Sequence, residues 1–242
     1  MNSQDPTITQ YLKKHGFATF TPKAVLFDMD GVLYDSMPNH AQSWQRAMTE
    51  FGLHMTGSDA YKYEGMRGVE TIKLLARDQW HRELGDAEAQ QMYAVKTRYF
   101  SQCPPAPKMA GVELLMQKIK ASGLTIGVVT GSGQHTLLDT LTTAFNGLLQ
   151  PQFIVTSFDV SHGKPAPDPY LKGLEKCGGL QPWEAIVVEN APLGVRAAQA
   201  ARIFTIAVNT GVLPNQLLAD EGADLIFNSM NALSDEWERL WH

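Results

Sequence analysis

Two aspartates that flank a single methionine follow a short apolar run near the start of the chain. The run Ala-Val-Leu-Phe at 24–27 predicts a buried strand, and Asp28, Asp30 and Gly31 lie in the loop after it. In this spacing one carboxylate continues the strand, and the bend lets the other return above it. One carboxylate can then attack phosphorus while its neighbour handles the proton of the leaving group. The pair therefore predicts phosphoryl-transfer chemistry.

Further polar residues follow later apolar runs. Thr130 follows the run at 124–129, and Glu189 and Asn190 follow the run at 185–188. Ligands of an open parallel sheet bind beyond the carboxyl ends of its strands, so we expect these residues at one edge. Gly131 and Ser132 are predicted to begin a helix, whose main-chain N–H groups and dipole can receive an anion. This edge is the predicted phosphate site.

The charges at this edge require a cation. Lys164, which stands between a glycine and a proline, is the candidate side chain for the positive charge. A carboxylate nucleophile and a phosphate repel each other, so the chemistry also needs a divalent metal ion. The candidate ligands Asp28, Asp30, Glu189 and Asn190 all offer oxygen, which suits Mg²⁺ better than zinc. Mg²⁺ is therefore the predicted cofactor.

Strands and helices alternate in the second part of the chain. Apolar runs at 124–129, 153–155, 185–188, 203–208 and 225–227 are separated by helical stretches. The pattern predicts an α/β fold, with a three-layer, Rossmann-like core in which helices cover both faces of a parallel sheet. The strand at 24–27 has no partner nearby, so it must join the same sheet.

The segment between these parts has only helical patterns. Its amphipathic stripes contain Trp44, Ile72 and Tyr99, and the segment ends in the stiff connector Pro-Pro-Ala-Pro at 104–107. We predict an inserted, smaller α-helical cap domain at 36–106. The predicted core consists of 1–35 and 107–242, with an N-terminal extension at 1–20.

Composition limits the partners. The chain has 242 residues, 44% of them apolar, and a net charge of −5, which is typical of a globular protein without attraction to nucleic acid or anionic lipid. No window approaches the ~20 apolar residues of a membrane span. The two cysteines lack a CxxC spacing. We expect a cytoplasmic monomer that acts on a small-molecule phosphate compound, without nucleic acid or membrane partners.

Four segments together resemble, in order, the four motifs of the haloacid dehalogenase superfamily. The helical insertion after the first motif resembles its β-phosphoglucomutase-like phosphatase branch, and the resemblance covers about residues 22–230. The segments are Phe-Asp-Met-Asp-Gly-Val at 27–32, Val-Val-Thr-Gly-Ser at 128–132, Gly-Lys-Pro at 163–165 and Glu-Asn-Ala-Pro-Leu-Gly at 189–194.

The resemblance implies a role for each matching residue. Asp28 would be the nucleophile that forms an aspartyl-phosphate, and Asp30 the general acid and base. Thr130 and Lys164 would bind the transferring phosphoryl group, helped by Ser132 and by main-chain amides such as that of Gly131. Mg²⁺ would be held by the Asp28 carboxylate, the Asp30 carbonyl and the fourth motif. The cap would close over the site.

One position departs from the branch, which usually has a second acid where this chain has Asn190. Its amide oxygen can still ligate Mg²⁺, but one negative charge is lost. We expect weaker metal binding and, as a hypothesis, less repulsion toward a highly charged substrate such as pyrophosphate.

Three cap residues are candidates for substrate contacts. His40 lies where the resembling mutases have a cap histidine near the acid and base. Glu64 and Arg67 lie in a segment that resembles the substrate-specificity loop, where Arg67 could hold a phosphate or sugar hydroxyls, and Glu64 a hydroxyl or second metal. The alternatives are an ordinary, partly buried histidine and a surface ion pair between Glu64 and Arg67.

Three functions follow from this pattern. The first is a Mg²⁺-dependent phosphohydrolase acting on a phosphate monoester, such as a sugar phosphate, or on pyrophosphate. The second is a sugar phosphate mutase of the β-phosphoglucomutase type, in which the phosphoenzyme returns its phosphoryl group to a substrate hydroxyl. The third is a phosphate-binding module without turnover. The presence of Asp30 and Lys164 argues against the third function.

Overall fold

The computed structural model describes residues 5–132 and 141–241, and the helix predicted to follow Ser132 falls outside them. The strands within these residues coincide with the apolar runs predicted as strands. They are β1 Ala24–Phe27, β2 Thr125–Val129, β3 Ile154–Val155, β4 Ala185–Glu189, β5 Phe204–Val208 and β6 Leu225–Phe227.

These strands form one parallel sheet in the order β3-β2-β1-β4-β5-β6. Strand β1 lies in the middle, where Phe27 pairs with Val128 of β2 and with Val188 of β4. The prediction that the first strand joins the later sheet is therefore confirmed. This register also brings the carboxyl ends of β1, β2 and β4 to one edge.

Helices cover both faces of the sheet. In the described residues, the helices that flank the sheet include α1 Pro6–His15, α6 Val112–Ala121, α7 Asp168–Lys176, α8 Pro192–Ala200, α9 Asn215–Asp220 and α10 Met230–Trp241, whereas α2 Met37–Glu50, α3 Gly57–Lys62, α4 Gly68–Trp80 and α5 Asp86–Ser101 lie in the inserted segment.

The strand residues alternate between two buried clusters, as a parallel sheet buried on both faces requires. Val25 and Phe27 of β1 pack with α1, α6 and α10 on one face. Ala24 and Leu26 pack with α7 and α8 on the other face. The predicted three-layer, Rossmann-like α/β core is therefore confirmed.

The N-terminal extension contains a helix that the sequence patterns did not reveal. Asp5 caps α1 by accepting a hydrogen bond from Thr7 N at 2.8 Å. Only Ile8 and Tyr11 of this helix are buried, so its apolar stripe is too short to stand out. The Tyr11 hydroxyl donates to Arg202 O at 2.9 Å, and its ring packs edge-on against Phe204. The extension is thus part of the core.

Helices α2 to α5 pack around a hydrophobic cluster of their own, which includes Trp44, Met48 and Ile72. The predicted inserted, helical domain is therefore present, and we call these four helices and their loops the cap. The short helix α3 was not predicted. It begins with a capping box between Thr56 and Asp59, a signal that is too local to appear in a hydrophobic pattern.

The two chain segments that connect the core and the cap run side by side. Asp35 N donates to Pro107 O at 2.9 Å, and Met109 N donates to Leu33 O at 2.9 Å. The predicted domain boundaries at 36 and 106 stay a prediction, and this joint lies next to them. In the described ranges no helix is long and apolar enough to cross a membrane.

Candidate active site

Three ionisable side chains meet at the carboxyl edge of the sheet. Asp28 follows β1, Glu189 ends β4, and Lys164 reaches between them from the loop after β3. Lys164 Nζ lies 2.5 Å from Asp28 Oδ1 and 2.5 Å from Glu189 Oε1. All three residues are buried. The structure therefore brings together the predicted nucleophile, the predicted phosphate-binding lysine and the acid of the fourth motif.

The cluster has one positive charge for two carboxylates. Burial raises the pKa of Asp28 to about 7, against the attraction of Lys164 and with added repulsion from Glu189 and Asp30. Burial opposes the charge of Lys164, but Asp28 and Glu189 raise its pKa above the ordinary value. The lysine therefore stays protonated, and the edge keeps an excess of negative charge that a divalent cation can balance.

All the hydrogen-bonding capacity of the Glu189 carboxylate is used inside the protein. Its Oε1 accepts from Lys164 Nζ and from the Tyr170 hydroxyl at 2.7 Å. Its Oε2 accepts from the main-chain N–H groups of Asn190 at 2.9 Å and Ala191 at 3.1 Å. Four donors fill the four lone-pair positions of a carboxylate. In this geometry Glu189 holds Lys164 in place, and its predicted role as a metal ligand stays a prediction.

Two buried oxygens at the edge have no hydrogen-bond partner among the described residues, Asp28 Oδ2 and Asn190 Oδ1. Leaving such oxygens buried without a partner is costly, and a metal ion in contact with them would satisfy both. Gly31 lies against the Asn190 amide with φ +81, and a Cβ there would collide with Asn190 Nδ2. The residues therefore fit a cation with oxygen ligands. Neither at this edge nor elsewhere in the described ranges do three or more His, Cys, Asp or Glu form a group that could hold a metal, so a cation here would also need amide or main-chain oxygens.

The residues predicted to bind phosphate lie beside this cluster. Thr130 is buried after β2, and its Oγ1 accepts from Ser132 N at 3.0 Å. The Thr130 hydroxyl proton is then available to another acceptor. Thr130, Gly131 and Lys164 line the same small cavity. The structure thus places the predicted phosphate-binding groups within one site.

Asp30 faces the joint between core and cap. Its Oδ1 accepts from Ser36 Oγ at 2.5 Å and lies 3.3 Å from His40 Nε2. Burial alone would raise the pKa of Asp30, but His40 and Ser36 hold it at about 2. His40 therefore lies at the predicted acid and base, as the sequence suggested.

A buried lysine of the cap completes this chain of contacts. Lys96 Nζ lies 3.0 Å from His40 Nδ1. Because an ammonium can only donate, it fixes the neutral His40 tautomer with its proton on Nε2, directed at Asp30. Lys96 also lies 4.7 Å from the centre of the Phe100 ring and 5.4 Å from that of Trp44.

Sequence reasoning missed Lys96. The residue lies in the middle of α5, outside every motif, and its helix has irregular apolar spacing. A lysine among aromatic residues on the inner face of a helix was the one available signal. Burial outweighs the attraction of Glu64 and Asp30 and lowers the pKa of Lys96 to about 8.

The cap loop between α3 and α4 covers the site. A Cβ on Gly65 would lie 2.9 Å from Lys164 Cδ, so the loop backbone rests directly on the lysine. Burial and the nearby Asp30 and Asp28 carboxylates raise the pKa of Glu64 well above its ordinary value. Arg67 donates to main-chain carbonyls of the core. The cavity that remains is about 10 Å³, enough for about one water molecule.

The chain is similar to known proteins over nearly its whole length. The sequence profile of the family described as haloacid dehalogenase-like hydrolases matches residues 25–208. Hexitol phosphatase A of Escherichia coli K12 is 29% identical over 217 residues, which cover 88% of this chain and 93% of that protein. The β-phosphoglucomutase of Bacillus subtilis 168 is 24% identical over 227 residues, which cover 90% and 96% of the two chains.

A solved structure is similar to both parts of the molecule. A protein from Bacteroides vulgatus, provisionally assigned as a β-phosphoglucomutase, is 49% identical with a TM-score of 0.93. The match covers 97% of this chain and 95% of that one. The similarity therefore includes the cap as well as the sheet.

Proposed function

Because the chain belongs to the haloacid dehalogenase-like hydrolases, we propose that it is a Mg²⁺-dependent phosphohydrolase that carries the phosphoryl group on Asp28. The single observation that supports this proposal best is the buried cluster in which Lys164 Nζ lies 2.5 Å from both Asp28 and Glu189. Among the described residues, Asp28 Oδ2 has no hydrogen-bond partner, and it lies at the edge where phosphate would bind.

The two aspartates divide the chemistry between them. In the first half-reaction an Asp28 carboxylate oxygen forms a bond to phosphorus as the bond to the leaving-group oxygen breaks, and Asp30 gives that oxygen its proton. In the second half-reaction Asp30 takes a proton from water, whose oxygen attacks phosphorus and releases Asp28. Lys164 and Thr130 stabilise the charge on the transferring group.

Asp30 must gain a proton before it can act as an acid. With the Asp30 pKa held at about 2, the ligand-free site keeps it ionised. A phosphate compound next to Asp30 adds negative charge, which raises the pKa of the Asp30 carboxyl and favours its protonated form. His40 and Lys96 hold Asp30 in place, so we assign them positioning roles.

Two of the proposed metal ligands have a buried oxygen without a hydrogen-bond partner among the described residues, and the third ligand is taken from the family resemblance. The Asp28 carboxylate, the Asp30 main-chain carbonyl and the Asn190 amide oxygen would hold Mg²⁺, while Glu189 holds Lys164. When bound, Mg²⁺ would neutralise charge on the Asp28 carboxylate and the phosphate, and polarise the phosphoryl group. We expect activity to require Mg²⁺ and to disappear in excess chelator.

A small phosphate compound suits this site. The cavity between the cap and the core measures only about 10 Å³, and Thr130, Gly131 and Lys164 in its lining offer donors to a phosphate group. Among the relatives, hexitol phosphatase A is named for phosphorylated sugar alcohols. We propose a phosphate monoester such as a sugar phosphate, or pyrophosphate, as the substrate.

The test is a panel of phosphate-release assays with Mg²⁺ on sugar phosphates, phosphoglycolate, nucleotides and pyrophosphate. We expect release from at least one small compound and a loss of about 10⁴-fold or more in Asp28→Asn. Phosphate release that survives in Asp28→Asn would contradict the covalent mechanism.

A substitution of Asn190 tests the choice between phosphate monoesters and pyrophosphate. Asn190→Asp adds a negative charge at the proposed metal site, so we expect tighter Mg²⁺ binding and a shift of preference from pyrophosphate toward monoesters. An unchanged ratio of kcat/KM for the two substrates would contradict the role given to Asn190.

A sugar phosphate mutase is the second candidate. It is favoured by the 49% identity to the Bacteroides vulgatus protein that has been provisionally assigned as a β-phosphoglucomutase. Incubation with β-glucose 1-phosphate separates the two activities, because a mutase yields glucose 6-phosphate whereas a hydrolase yields glucose and phosphate.

A further inference from the structure

The Arg67 side chain crosses from the cap to the core. It precedes α4, and its Nη2 donates to Val160 O at 2.6 Å and to Ser157 O at 3.4 Å. A Cβ on Gly163 would lie 3.1 Å from Arg67 Cγ, so the alkyl part of the arginine rests on that glycine. These contacts require the cap to lie against the core.

The core segment that Arg67 holds adjoins both sides of the phosphate site. At one end of the segment, Ser157 N donates to Ser132 O at 3.1 Å, next to Gly131 of the proposed phosphate site. At the other end, Gly163 directly precedes Lys164. A displacement of this segment would therefore move groups on two sides of the transferring phosphoryl group.

We propose that Arg67 is a positioning residue that holds the cap against the core and, through residues 157–163, positions Lys164 and Ser132 for phosphoryl transfer. This proposal rests on the proposed function. It differs from the contact with substrate that the sequence suggested, because the acceptors of Arg67 are neutral main-chain carbonyls of the core. The contribution of Arg67 to kcat/KM should then not depend on the charge of the leaving group.

Hydrogen exchange tests the structural part without any substrate. In Arg67→Met we expect the amides of 157–160 in the core to exchange about 10-fold faster or more, because the Ser157 segment loses its contacts with the cap. Arg77→Met is the matched control, since Arg77 lies on α4, the helix that Arg67 precedes, is exposed and has only Asp78 as an ion-pair partner in the described residues. It should leave exchange at 157–160 unchanged.

Kinetics test the functional part. We expect kcat/KM of Arg67→Met to fall by about 10- to 100-fold on both pyrophosphate and acetyl phosphate, which differ in whether the leaving group is a second phosphate. A loss confined to pyrophosphate, or unchanged exchange at 157–160, would overturn the proposal in favour of a direct substrate contact.

A second variant and the exchange experiment together distinguish failure of the Arg67 proposal from failure of the proposed function. Arg67→Gln provides the same comparison if Arg67→Met does not fold. An enzyme that releases phosphate from no compound contradicts the proposed function, while the exchange experiment still decides whether Arg67 holds the core segment.

Discussion

The two lysines that face the site have opposite environments. Lys164 of the core touches two carboxylates, which raise its pKa above the ordinary value. Lys96 of the cap lies among aromatic rings and against a neutral imidazole nitrogen, and burial lowers its pKa to about 8. The core therefore carries a permanent positive charge, whereas the charge contributed by the cap can be lost just above neutral pH.

The core and the cap also differ in what brings their residues to the site. The core groups lie at the ends of adjacent strands, so the sheet alone brings them together. The cap groups reach the site only because the cap lies on the core, with Gly65 against Lys164 and Arg67 against Val160. The proposed core site therefore depends on the sheet alone, whereas the position of the cap residues depends on how the cap packs against the core.

Removal of the core lysine should have the largest effect. Lys164→Met leaves the buried Asp28 and Glu189 carboxylates unpaired, so we expect the free energy of unfolding to fall by about 3–5 kcal/mol. We also expect kcat/KM to fall by about 10²- to 10³-fold or more. Urea unfolding and phosphate-release assays measure the two effects.

Lys172→Met is the control for this variant, because Lys172 lies on α7 and pairs only with the exposed Glu175 among the described residues. A Lys164→Met protein with the stability and activity of this control would show that the buried cluster does not exist in solution.

Removal of the cap lysine should have a smaller effect that depends on pH. In Lys96→Met we expect kcat/KM to fall by about 10-fold near pH 7, because His40 loses the donor that fixes its tautomer. The native protein should lose activity as pH rises through about 8, where Lys96 loses its proton. This alkaline decline should be absent from Lys96→Met. A decline of the same midpoint in the variant would contradict the assignment.

The free energy of unfolding should also depend on the titration of Lys96, and it should increase with pH. The pKa of Lys96 is about 8 in the folded protein and 10.5 in its ordinary state. Between these values the unfolded chain binds a proton that the folded protein does not, so this group adds stability as pH rises. Relative to Lys96→Met, the native protein should therefore become more stable from about pH 8 to 10.5, as urea unfolding at several pH values can measure.

Removal of one hydrogen bond in the core cluster should have the smallest effect. Tyr170→Phe removes the hydroxyl that donates to Glu189 Oε1 at 2.7 Å, while Lys164 continues to bind the same oxygen. We expect the free energy of unfolding to fall by about 1–2 kcal/mol with only a few-fold loss of kcat. A loss as large as that of Lys164→Met would mean that Tyr170, and not the lysine, organises Glu189.

The contrast between core and cap also explains what the sequence could predict. The core residues Asp28, Thr130 and Glu189 each follow an apolar run, and parallel strands end at a common edge, so their proximity could be predicted. The partners of Glu189 could not, because its four donors come from three separate segments of the chain.

The cap residues could be predicted only in part. His40 and Glu64 were found through a resemblance, and Arg67 was expected at the substrate. Lys96 lies on a helix with irregular apolar spacing, where burial depends on how four helices pack and on how the cap meets the core. Interactions that form across two domains leave no periodic signal in either one.

The most direct test of the central claim is to trap the phosphoryl group on the enzyme. The best substrate of the panel, labelled with ³²P in the transferred group, is mixed with the enzyme and Mg²⁺ and quenched in acid within milliseconds, and the labelled peptide is identified. We predict a base-labile label on the peptide that contains Asp28 and none in Asp28→Asn. Phosphate release without any labelled enzyme, or a label on another residue, would contradict the account.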